Sequence, residues 1–275
     1  MRLFGHKLSA TAWIGVAIVA VNVFCAIFAP LIAPFPEAEI VADAWSEPDA
    51  LHWFGTDQIG RDMLSRMIFA ARMSIGLSLL ITMLSFTIGI VAGFAAATSG
   101  RWLDIALSRL VDLLLSMPTL IFAFVVLSVL GTELPVLIVT IAVLDSTKVF
   151  RLARSVAMGI VTLEFVEAAK LRGEGLWWII TREILPNAIP PLVAEFGLRF
   201  CFTFLLIAAL SFLGLGIQPP NADWGSMVKE LSARINLGNT APLYPAAAIA
   251  ILTIGVNFIV DWMLAIHSRA HGDGA

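Results

Sequence analysis

Charged residues are scarce in this sequence. They make up 13% of its 275 residues, whereas hydrophobic residues make up 59%. Soluble domains carry about one quarter charged residues, so a water-soluble fold of this composition would leave much apolar surface exposed to water. The apolar residues are also not pooled into one core. They occur in blocks of about 20 residues, the length that crosses a bilayer as a helix.

Several chemical motifs are absent. The sequence has no GxxxxGK[ST] phosphate loop, no HExxH motif and no CxxC pair, because its two cysteines, Cys25 and Cys201, lie far apart in apolar stretches. All four histidines lie outside the apolar blocks: His6, His52, His267 and His271. The net charge of −3 does not indicate a nucleic-acid partner. We therefore expect structural thiols, no metal site and no ATP hydrolysis by this chain.

The apolar blocks predict an all-α, polytopic membrane protein with six transmembrane helices. They cover about residues 10–33, 74–98, 107–130, 135–150, 191–215 and 244–266. The first block follows Arg2 and Lys7 but is too long for a signal peptide, so we expect it to be retained. The fourth block is the weakest, since Asp145 and Lys148 interrupt it. Their i,i+3 spacing predicts an ion pair on one helix face.

Basic residues indicate the orientation of the helices, because basic loops stay in the cytoplasm. With the N-terminus inside, the cytoplasmic side receives most of them: Arg2, Lys7, Arg101, Lys148, Arg151, Arg154, Lys170, Arg172, Arg182 and Arg269. The loop at 35–73 holds seven acidic residues against three arginines and is predicted to be external. We thus divide the chain into an N-terminal helix and external loop (1–73), a five-helix core (74–266) with a cytoplasmic loop at 151–190, and a cytoplasmic tail (267–275).

The cytoplasmic loop is predicted to contain two short helices. The first, at about 163–172, carries Glu164 in its opening turn and basic residues in its last turn, which suits the helix dipole. Gly173 follows, where a helix end requires a left-handed residue. The second, at about 176–185, ends at Pro186 and has one apolar side formed by Leu176, Trp177, Ile180 and Ile184. From the residues alone, that side suits a lipid surface and a protein groove equally.

Part of the same loop resembles a sequence motif of a known protein family. Glu167-Ala168-Ala169, then Gly173, then Leu185-Pro186 resembles the EAA loop of binding-protein-dependent ABC transporter permeases. In that family the loop docks into the ATPase subunit, so the resemblance favours the protein groove. It implies an ATPase-coupling role for Glu167, Ala168, Ala169, Gly173, Leu176, Trp177, Leu185 and Pro186. Glu183 departs from the pattern, which has an apolar residue or a histidine there.

Two further segments are similar to the branch of C-type dipeptide, oligopeptide and nickel permeases. One runs from His52 to Asp62 and contains the external motif Gly55, Thr56, Asp57, Gly60, Arg61 and Asp62. The other includes Ser211-Phe212-Leu213-Gly214-Leu215-Gly216, Gln218-Pro219-Pro220 and Trp224-Gly225. Together with the EAA-like loop they cover most of residues 53–261. The end of the chain departs from the branch at Val260 and lacks its usual final motif.

The resemblance implies a type I ABC importer fold in the bacterial cytoplasmic (inner) membrane. The chain would form half of a translocation path for peptides or related small solutes, and the solute itself stays open. Implied partners are a second homologous permease subunit, two ATP-binding subunits, an external substrate-binding protein and membrane lipid. The chain itself would bind no cofactor, since ATP and Mg²⁺ belong to the ATP-binding subunits.

Other interpretations of the charged residues stay open. The external motif is rich in turn-forming residues and suits a rigid, self-paired loop as well as a contact with the binding protein. Charges within spans are functional candidates, although the i,i+4 spacing of Glu195 and Arg199 predicts simple pairing. An ion-coupled transporter using Asp112 or Asp261 is the main alternative, and an intramembrane enzyme is a further one. Neither alternative explains the EAA-like loop.

The predicted topology can be tested by cysteine labelling. Glu39→Cys, in a chain without Cys25 and Cys201, should react with an impermeant thiol reagent added outside intact cells, because 35–73 is predicted to be external. Labelling that requires permeabilised cells would reverse the topology.

Overall fold

A computed structural model describes residues 2–3, 6–7 and 9–272 of the chain. Two antiparallel two-residue strands, Arg2–Leu3 (β1) and His6–Lys7 (β2), precede a fold that is otherwise helical. The first helices are Ala10–Ile27 (α1), Ala29–Ile32 (α2), Met63–Thr98 (α3), Arg101–Leu115 (α4), Thr119–Leu130 (α5) and Leu134–Val161 (α6). Glu164–Leu171 (α7), Leu176–Trp178 (α8), a π-helix at Ile179–Ile184, and Leu185–Leu213 (α9) follow. Trp224–Ser232 (α10), a 3₁₀ turn at Ile235–Leu237 and Leu243–Gly272 (α11) complete the chain.

Several helices can cross a membrane. Among the described residues, 4 helices are long and apolar enough, at Ala10–Ile27, Met63–Thr98, Leu176–Leu213 and Leu243–Ile266. The bent pair α4 and α5 adds a fifth span if it is taken as one. The prediction of an all-α, polytopic membrane protein is confirmed. The predicted fourth span lies within α6, which is not among these candidates, so the number six stays a prediction. The predicted tail at 267–275 begins in the last turn of α11, and 273–275 lie outside the described residues.

The third predicted span is wrong as one straight helix. α4 and α5 are separated by a break at which the helix axis turns by 85°. Pro118 explains the break, because proline has no N–H and disfavours helical conformation in the residue before it. Charged residues of α4 lie on one side of this amphipathic helix, while α5 has no charged residue.

The external loop is shorter than predicted. α3 begins at Met63 instead of near residue 74, and Asp62 is its N-cap, with a carboxylate that accepts a hydrogen bond from Ser65 N–H at 2.8 Å. A carboxylate is a strong N-cap because it satisfies the free N–H groups of the first turn. The predicted boundary at Met73 therefore falls inside α3. The charged residues Arg61, Asp62 and Arg66 around this point made the start of the helix hard to recognise in the sequence.

The predicted helix end at Pro186 is also wrong. The helical path continues from Leu176 through Pro186 to Leu213 as one 38-residue element. The π-helix at Ile179–Ile184 precedes the proline, and the Leu185 N–H bonds to the Ile180 carbonyl, five residues back. A widened turn relieves the clash between a proline ring and the carbonyl four residues earlier. The segment predicted to be cytoplasmic is thus continuous with a helix long and apolar enough to cross a membrane.

The most extensive helix contact joins α3 to α6. Two glycines of α3 bring the helices together: a Cβ at Gly89 would lie 2.6 Å from Val149 Cβ, and one at Gly93 would lie 2.9 Å from Ala153 Cβ. Small residues let helix backbones approach closely in membranes, where packing replaces the hydrophobic effect as the driving force. α1 and α11 also pack closely at a glycine, since a Cβ at Gly15 would lie 2.6 Å from the Gly255 carbonyl oxygen.

Gly89 and Gly76 provide a matched test of this packing, since both lie in α3. No atom lies within 4 Å of a Cβ built on Gly76. Gly89→Ala should lower the stability of the purified protein by about 1–3 kcal/mol through overpacking. Gly76→Ala should be neutral or stabilising, because alanine favours helix by about 1 kcal/mol over glycine. Thermal unfolding in detergent measures both, and equal effects of the two changes would contradict the close α3–α6 contact.

Candidate coupling segment and external loop

The segment from α7 to the π-helix is the candidate coupling segment. α7 ends in a glycine-dependent turn in which the Gly173 N–H bonds to the Lys170 carbonyl at 3.0 Å and the Glu174 N–H bonds to the Ala169 carbonyl at 3.2 Å. This pair of bonds defines a Schellman motif, which needs a left-handed residue. Gly173 supplies it with φ at +82°. The predicted helix stop is confirmed.

An apolar patch covers the outside of this segment. The exposed fractions of Leu171, Trp177 and Leu176 are 85%, 77% and 50%. The Arg172 guanidinium lies 5.8 Å from the ring centre of Trp178, a cation–π contact across the turn. The coupling segment therefore presents three large apolar side chains on one compact turn.

The predicted apolar side of the second helix is divided between two environments. Ile184 is buried and Ile180 packs partly buried in the same core cluster, together with Val166 of α7. This correction follows from the continuous helix: its inner face packs on α6 and α7, so only Leu176 and Trp177 of the predicted side remain outside. The inward isoleucines hold the segment against the membrane helices.

The Glu167-Ala168-Ala169 triplet likewise has both buried and exposed side chains. Ala169 is buried, while Glu167 and Ala168 are exposed. No described residue makes a hydrogen bond or an ion pair with the Glu167 carboxylate. This carboxylate is available to another chain.

Leu185 and Pro186 lie at the junction between the π-helix and α9. Leu185 packs partly buried on the cluster around Ile184, whereas Pro186 is exposed. Glu183, which departs from the family pattern, accepts a hydrogen bond through its backbone carbonyl from the Asn187 side chain at 2.7 Å. The structure thus gives the Glu183 carboxylate no role in the junction.

The external motif forms a buried ionic cluster. The Asp57 Oδ2 atom lies 2.6 Å from Arg61 Nε and 2.7 Å from Arg66 Nη1. Glu230 of α10 joins from the other end of the chain, with Oε2 at 2.8 Å from Arg66 Nη1. Asp57, Arg61 and Arg66 are all buried. The cluster therefore fixes the external loop to the start of α3 and to α10.

The rest of the motif closes turns around this cluster. Asp62 accepts hydrogen bonds from Ser65 and lies 3.1 Å from His52 Nδ1. The Thr56 hydroxyl donates to the Asp43 carbonyl at 2.7 Å and accepts from the Ser46 N–H at 2.8 Å.

Gly55 and Gly60 both have positive φ angles, +73° and +89°. A Cβ at these glycines would lie 2.4 Å from the Ser46 carbonyl oxygen and 2.1 Å from the Ala42 carbonyl oxygen. No side chain fits at either position. All six residues of the predicted motif therefore lie close together in one unit. The contact of this unit with Glu230 was not predictable from the sequence.

Burial and hydrogen bonding shift the pKa of Asp57 in opposite directions. Burial alone would raise its pKa, but hydrogen bonds from the Arg61 and Ile59 N–H groups and from the Arg61 side chain hold the pKa below its usual value. At Asp223, the N-cap of α10, burial dominates and raises the pKa. The Asp57 carboxylate is thus held in its charged form, as an ionic cluster requires.

Several charged residues of the spans form ion pairs. Glu195 Oε1 lies 2.7 Å from Arg199 Nε, and Asp145 Oδ1 lies 3.5 Å from Lys148 Nζ, so both predicted pairs are confirmed. Three further carboxylate contacts were not predicted: Asp112 with Arg151 at 2.7 Å, Asp104 with Arg154, and Asp145 with Arg199 at 3.6 Å. Asp261 is exposed. Neither Asp112, half-exposed and paired, nor Asp261 has the buried setting expected of a proton-carrying site.

Within the described part of the chain, no three histidine, cysteine, aspartate or glutamate side chains come together in a way that could hold a metal ion.

Two family models match the chain. The model described as a binding-protein-dependent transport system inner membrane component matches residues 85–271. A second, the N-terminal TM domain of oligopeptide transport permease C, matches residues 2–48. The first match covers the coupling segment and the second covers α1 and the start of the external loop.

Curated relatives agree with the family models. The chain is 34% identical to the dipeptide transport system permease protein DppC of Alkalihalophilus pseudofirmus, over 93% of this chain and 84% of the relative. It is 32% identical to the di/tripeptide transport system permease protein DppC of Pseudomonas aeruginosa, over 94% and 87%. It is also 32% identical to a probable D,D-dipeptide transport system permease protein of Escherichia coli, over 94% and 86%. This chain belongs to the family of binding-protein-dependent transport system inner membrane components, as a multi-pass permease subunit of the bacterial inner membrane.

Proposed function

We propose that this chain forms half of the translocation path of an ATP-driven peptide importer and transmits the movement of separate ATP-binding chains to that path. The observation that carries the proposal is the exposed apolar patch of Leu171, Leu176 and Trp177, of which Leu176 and Trp177 begin a continuous helix, Leu176–Leu213. At about 1.5 Å per residue this helix is about 57 Å long, compared with a hydrocarbon core of about 30 Å. Its cytoplasmic end therefore extends well beyond the membrane.

A protein partner suits the patch for physical reasons. An exposed apolar patch rimmed by polar residues is typical of a protein interface, and here Glu167, Lys170 and Arg172 surround it. A movement of the partner would be transmitted along the helix, because the inner face of the segment packs on α6 and α7. Coupling requires contacts that differ between two states of the assembly, and a helix that is continuous from cytoplasm to membrane provides the link.

The remaining partners follow from the family. We propose a second homologous permease subunit, two ATP-binding subunits and an external binding protein, with ATP and Mg²⁺ held by the ATP-binding subunits and no cofactor in this chain. A peptide is the proposed solute, because several relatives transport dipeptides by name. We further propose that this chain is not itself an enzyme, since its sequence has no phosphate loop.

The external loop is proposed to act as a scaffold for the outer mouth of the path. Its polar motif residues are engaged with one another, whereas large apolar side chains at its surface are exposed: Ile40, Leu51, Trp53 and Ile59. These exposed residues, not the buried motif, are suited to contact an external binding protein. The motif residues would then act on transport only by holding the loop in shape.

The coupling role predicts graded effects at Gly173. A side chain there raises the free energy of the left-handed turn by about 1–2 kcal/mol, and a β-branched residue is the least compatible with it. Gly173→Val should therefore reduce uptake and solute-stimulated ATP hydrolysis in reconstituted complexes more than Gly173→Ala. Glu167→Ala should weaken the pull-down of ATP-binding chains but leave the stability of the isolated permease unchanged, because its carboxylate has no partner among the described residues.

Gly175 is the matched control for Gly173. It lies two residues further on, with an ordinary φ of −74° and no neighbour within 4 Å of a built Cβ. Gly175→Val should be better tolerated than Gly173→Val. If Gly173→Val and Glu167→Ala both leave assembly, hydrolysis and uptake at wild-type levels, the segment is not the coupling element.

The scaffold role predicts that Asp57→Asn lowers the amount of assembled complex. Removing one partner of a buried ionic cluster costs about 3–5 kcal/mol, because Arg61 and Arg66 would keep only Glu230. Since the folded pKa of Asp57 lies below its usual value, this stabilisation is complete above an unfolded pKa of about 3.9. This stabilisation is lost as the pH falls through the pKa that Asp57 has in the folded protein. The difference between wild type and Asp57→Asn in thermal unfolding should therefore be present at neutral pH and shrink in acid.

Asp49→Asn is the control for this change. Asp49 lies in the same loop but is exposed, and its carboxylate oxygen accepts the Leu51 and His52 N–H groups, which an amide oxygen can also do. It should assemble normally. Normal assembly of Asp57→Asn together with an altered solute preference would instead make the motif a solute-binding site.

A further inference from the structure

Four charged residues form a chain of contacts between the membrane helices α6 and α9. Lys148 Nζ lies 3.5 Å from Asp145 Oδ1, which lies 3.6 Å from Arg199 Nη1. Arg199 Nε in turn lies 2.7 Å from Glu195 Oε1. Thr203 donates a further hydrogen bond to Asp145 at 3.4 Å. The cluster holds two positive and two negative groups and is electrically neutral.

The inner part of this cluster lies deep in the membrane. Asp145 is about 16 Å along the helix axis from the start of α6, and Thr203 is about 15 Å from the end of α9, at about 1.5 Å per residue. Half the thickness of the hydrocarbon core is also about 15 Å. Both helix ends are predicted to be external, so the contact between Asp145 and Thr203 falls near the middle of the bilayer, while Lys148 and Glu195 lie about 21 Å and about 27 Å from those ends, nearer the cytoplasmic side. Charges are rare within the hydrocarbon core, and they mark solute or ion paths.

The inner and outer members of the cluster differ in exposure. The side chains of Asp145 and Arg199 are 4% and 10% exposed, whereas Lys148 and Glu195 are 33% and 22% exposed. Each outer residue has one ionic partner among the described residues. Exposing a charge to lipid costs about 2.5–3.5 kcal/mol at the bilayer centre on insertion scales, and Lys148 still lies several ångströms inside the hydrocarbon core. The open sides of Lys148 and Glu195 are therefore better suited to a watery path than to lipid.

We propose that Lys148 and Glu195 line the translocation path and form transient ion pairs with the two opposite charges of a zwitterionic solute. The ammonium group of Lys148 would attract the carboxylate of the solute, and Glu195 would attract its ammonium group. Asp145 and Arg199 are positioning residues, because they hold the two outer groups and touch no solute themselves. The long 3.5 Å contact of Lys148 suits an exchangeable partner. The proposal rests on the proposed function, since a peptide carries both charges.

The test is charge reversal with matched peptides. Wild-type, Lys148→Glu and Glu195→Lys permeases are reconstituted with their partner chains, and each is given one peptide that carries an added lysine and one that carries an added aspartate. Affinity of the external binding protein is held constant by using the same protein throughout. Relative to wild type, the uptake ratio of the lysine peptide over the aspartate peptide should rise about tenfold in Lys148→Glu and fall about tenfold in Glu195→Lys.

Arg151→Gln is the matched control, because Arg151 is the next basic residue on α6 but pairs with the half-exposed Asp112. Its uptake ratio should equal that of the wild type. A purely structural cluster would change assembly without changing the ratio, so an unchanged ratio in both reversals overturns the proposal. Failure of the wild-type complex to import either peptide would instead count against the proposed function.

Cysteine accessibility decides the case if a reversed variant does not assemble. Lys148→Cys and Glu195→Cys, in a chain without Cys25 and Cys201, should react in the assembled complex with a small hydrophilic thiol reagent, and saturating peptide during turnover should slow that reaction. No reaction at either position, with or without ATP, would mean that lipid or the second permease subunit covers the cluster. That outcome would contradict the proposal.

Discussion

The close approach of α3 and α6 is the contact on which the rest of the fold depends. Gly89 and Gly93 leave no room for a side chain between the two helices, and α3 begins at the carboxylate cap that closes the external loop. α6 carries Asp145 toward α9 and continues into the turn before α7. One helix pair therefore connects the external motif, the charged cluster between α6 and α9, and the candidate coupling segment. In a lipid environment such packing must come from fit, since lipid tails are as apolar as the side chains.

The second constraint is that one long helix continues past three prolines without ending. Leu176–Leu213 contains Pro186, Pro190 and Pro191, yet it stays helical because a π-helix widens the turn before the first of them. Leu176 and Trp177 of the exposed patch and the Glu195–Arg199 pair are consequently parts of one element. Movement of the patch by a partner would reach the charged cluster without crossing a flexible joint. This continuity relates the proposed coupling role to the proposed path.

Local features of this structure were predictable and distant ones were not. The stop at Gly173, the Glu195–Arg199 pair and the Asp145–Lys148 pair depend on spacing within one helix or turn, which the sequence displays directly. The 85° bend before α5 and the helix through Pro186 were missed, because proline permits both outcomes and packing selects between them. Glu230 was missed as a partner of Arg66 because 164 residues separate them. The role of Glu167 stays a prediction, because no described residue pairs with its carboxylate and its partner would lie in another chain.

The central claim is that the exposed patch of the coupling segment contacts an ATP-binding chain. The most direct measurement is site-specific photocrosslinking from position 177, with a photoreactive amino acid replacing Trp177 in complexes within native membranes. Mass spectrometry of the adducts should identify an ATP-binding chain as the main product, with a yield that changes when ATP is added. Adducts mainly with lipid, or a yield of protein adduct that does not respond to ATP, would contradict the account.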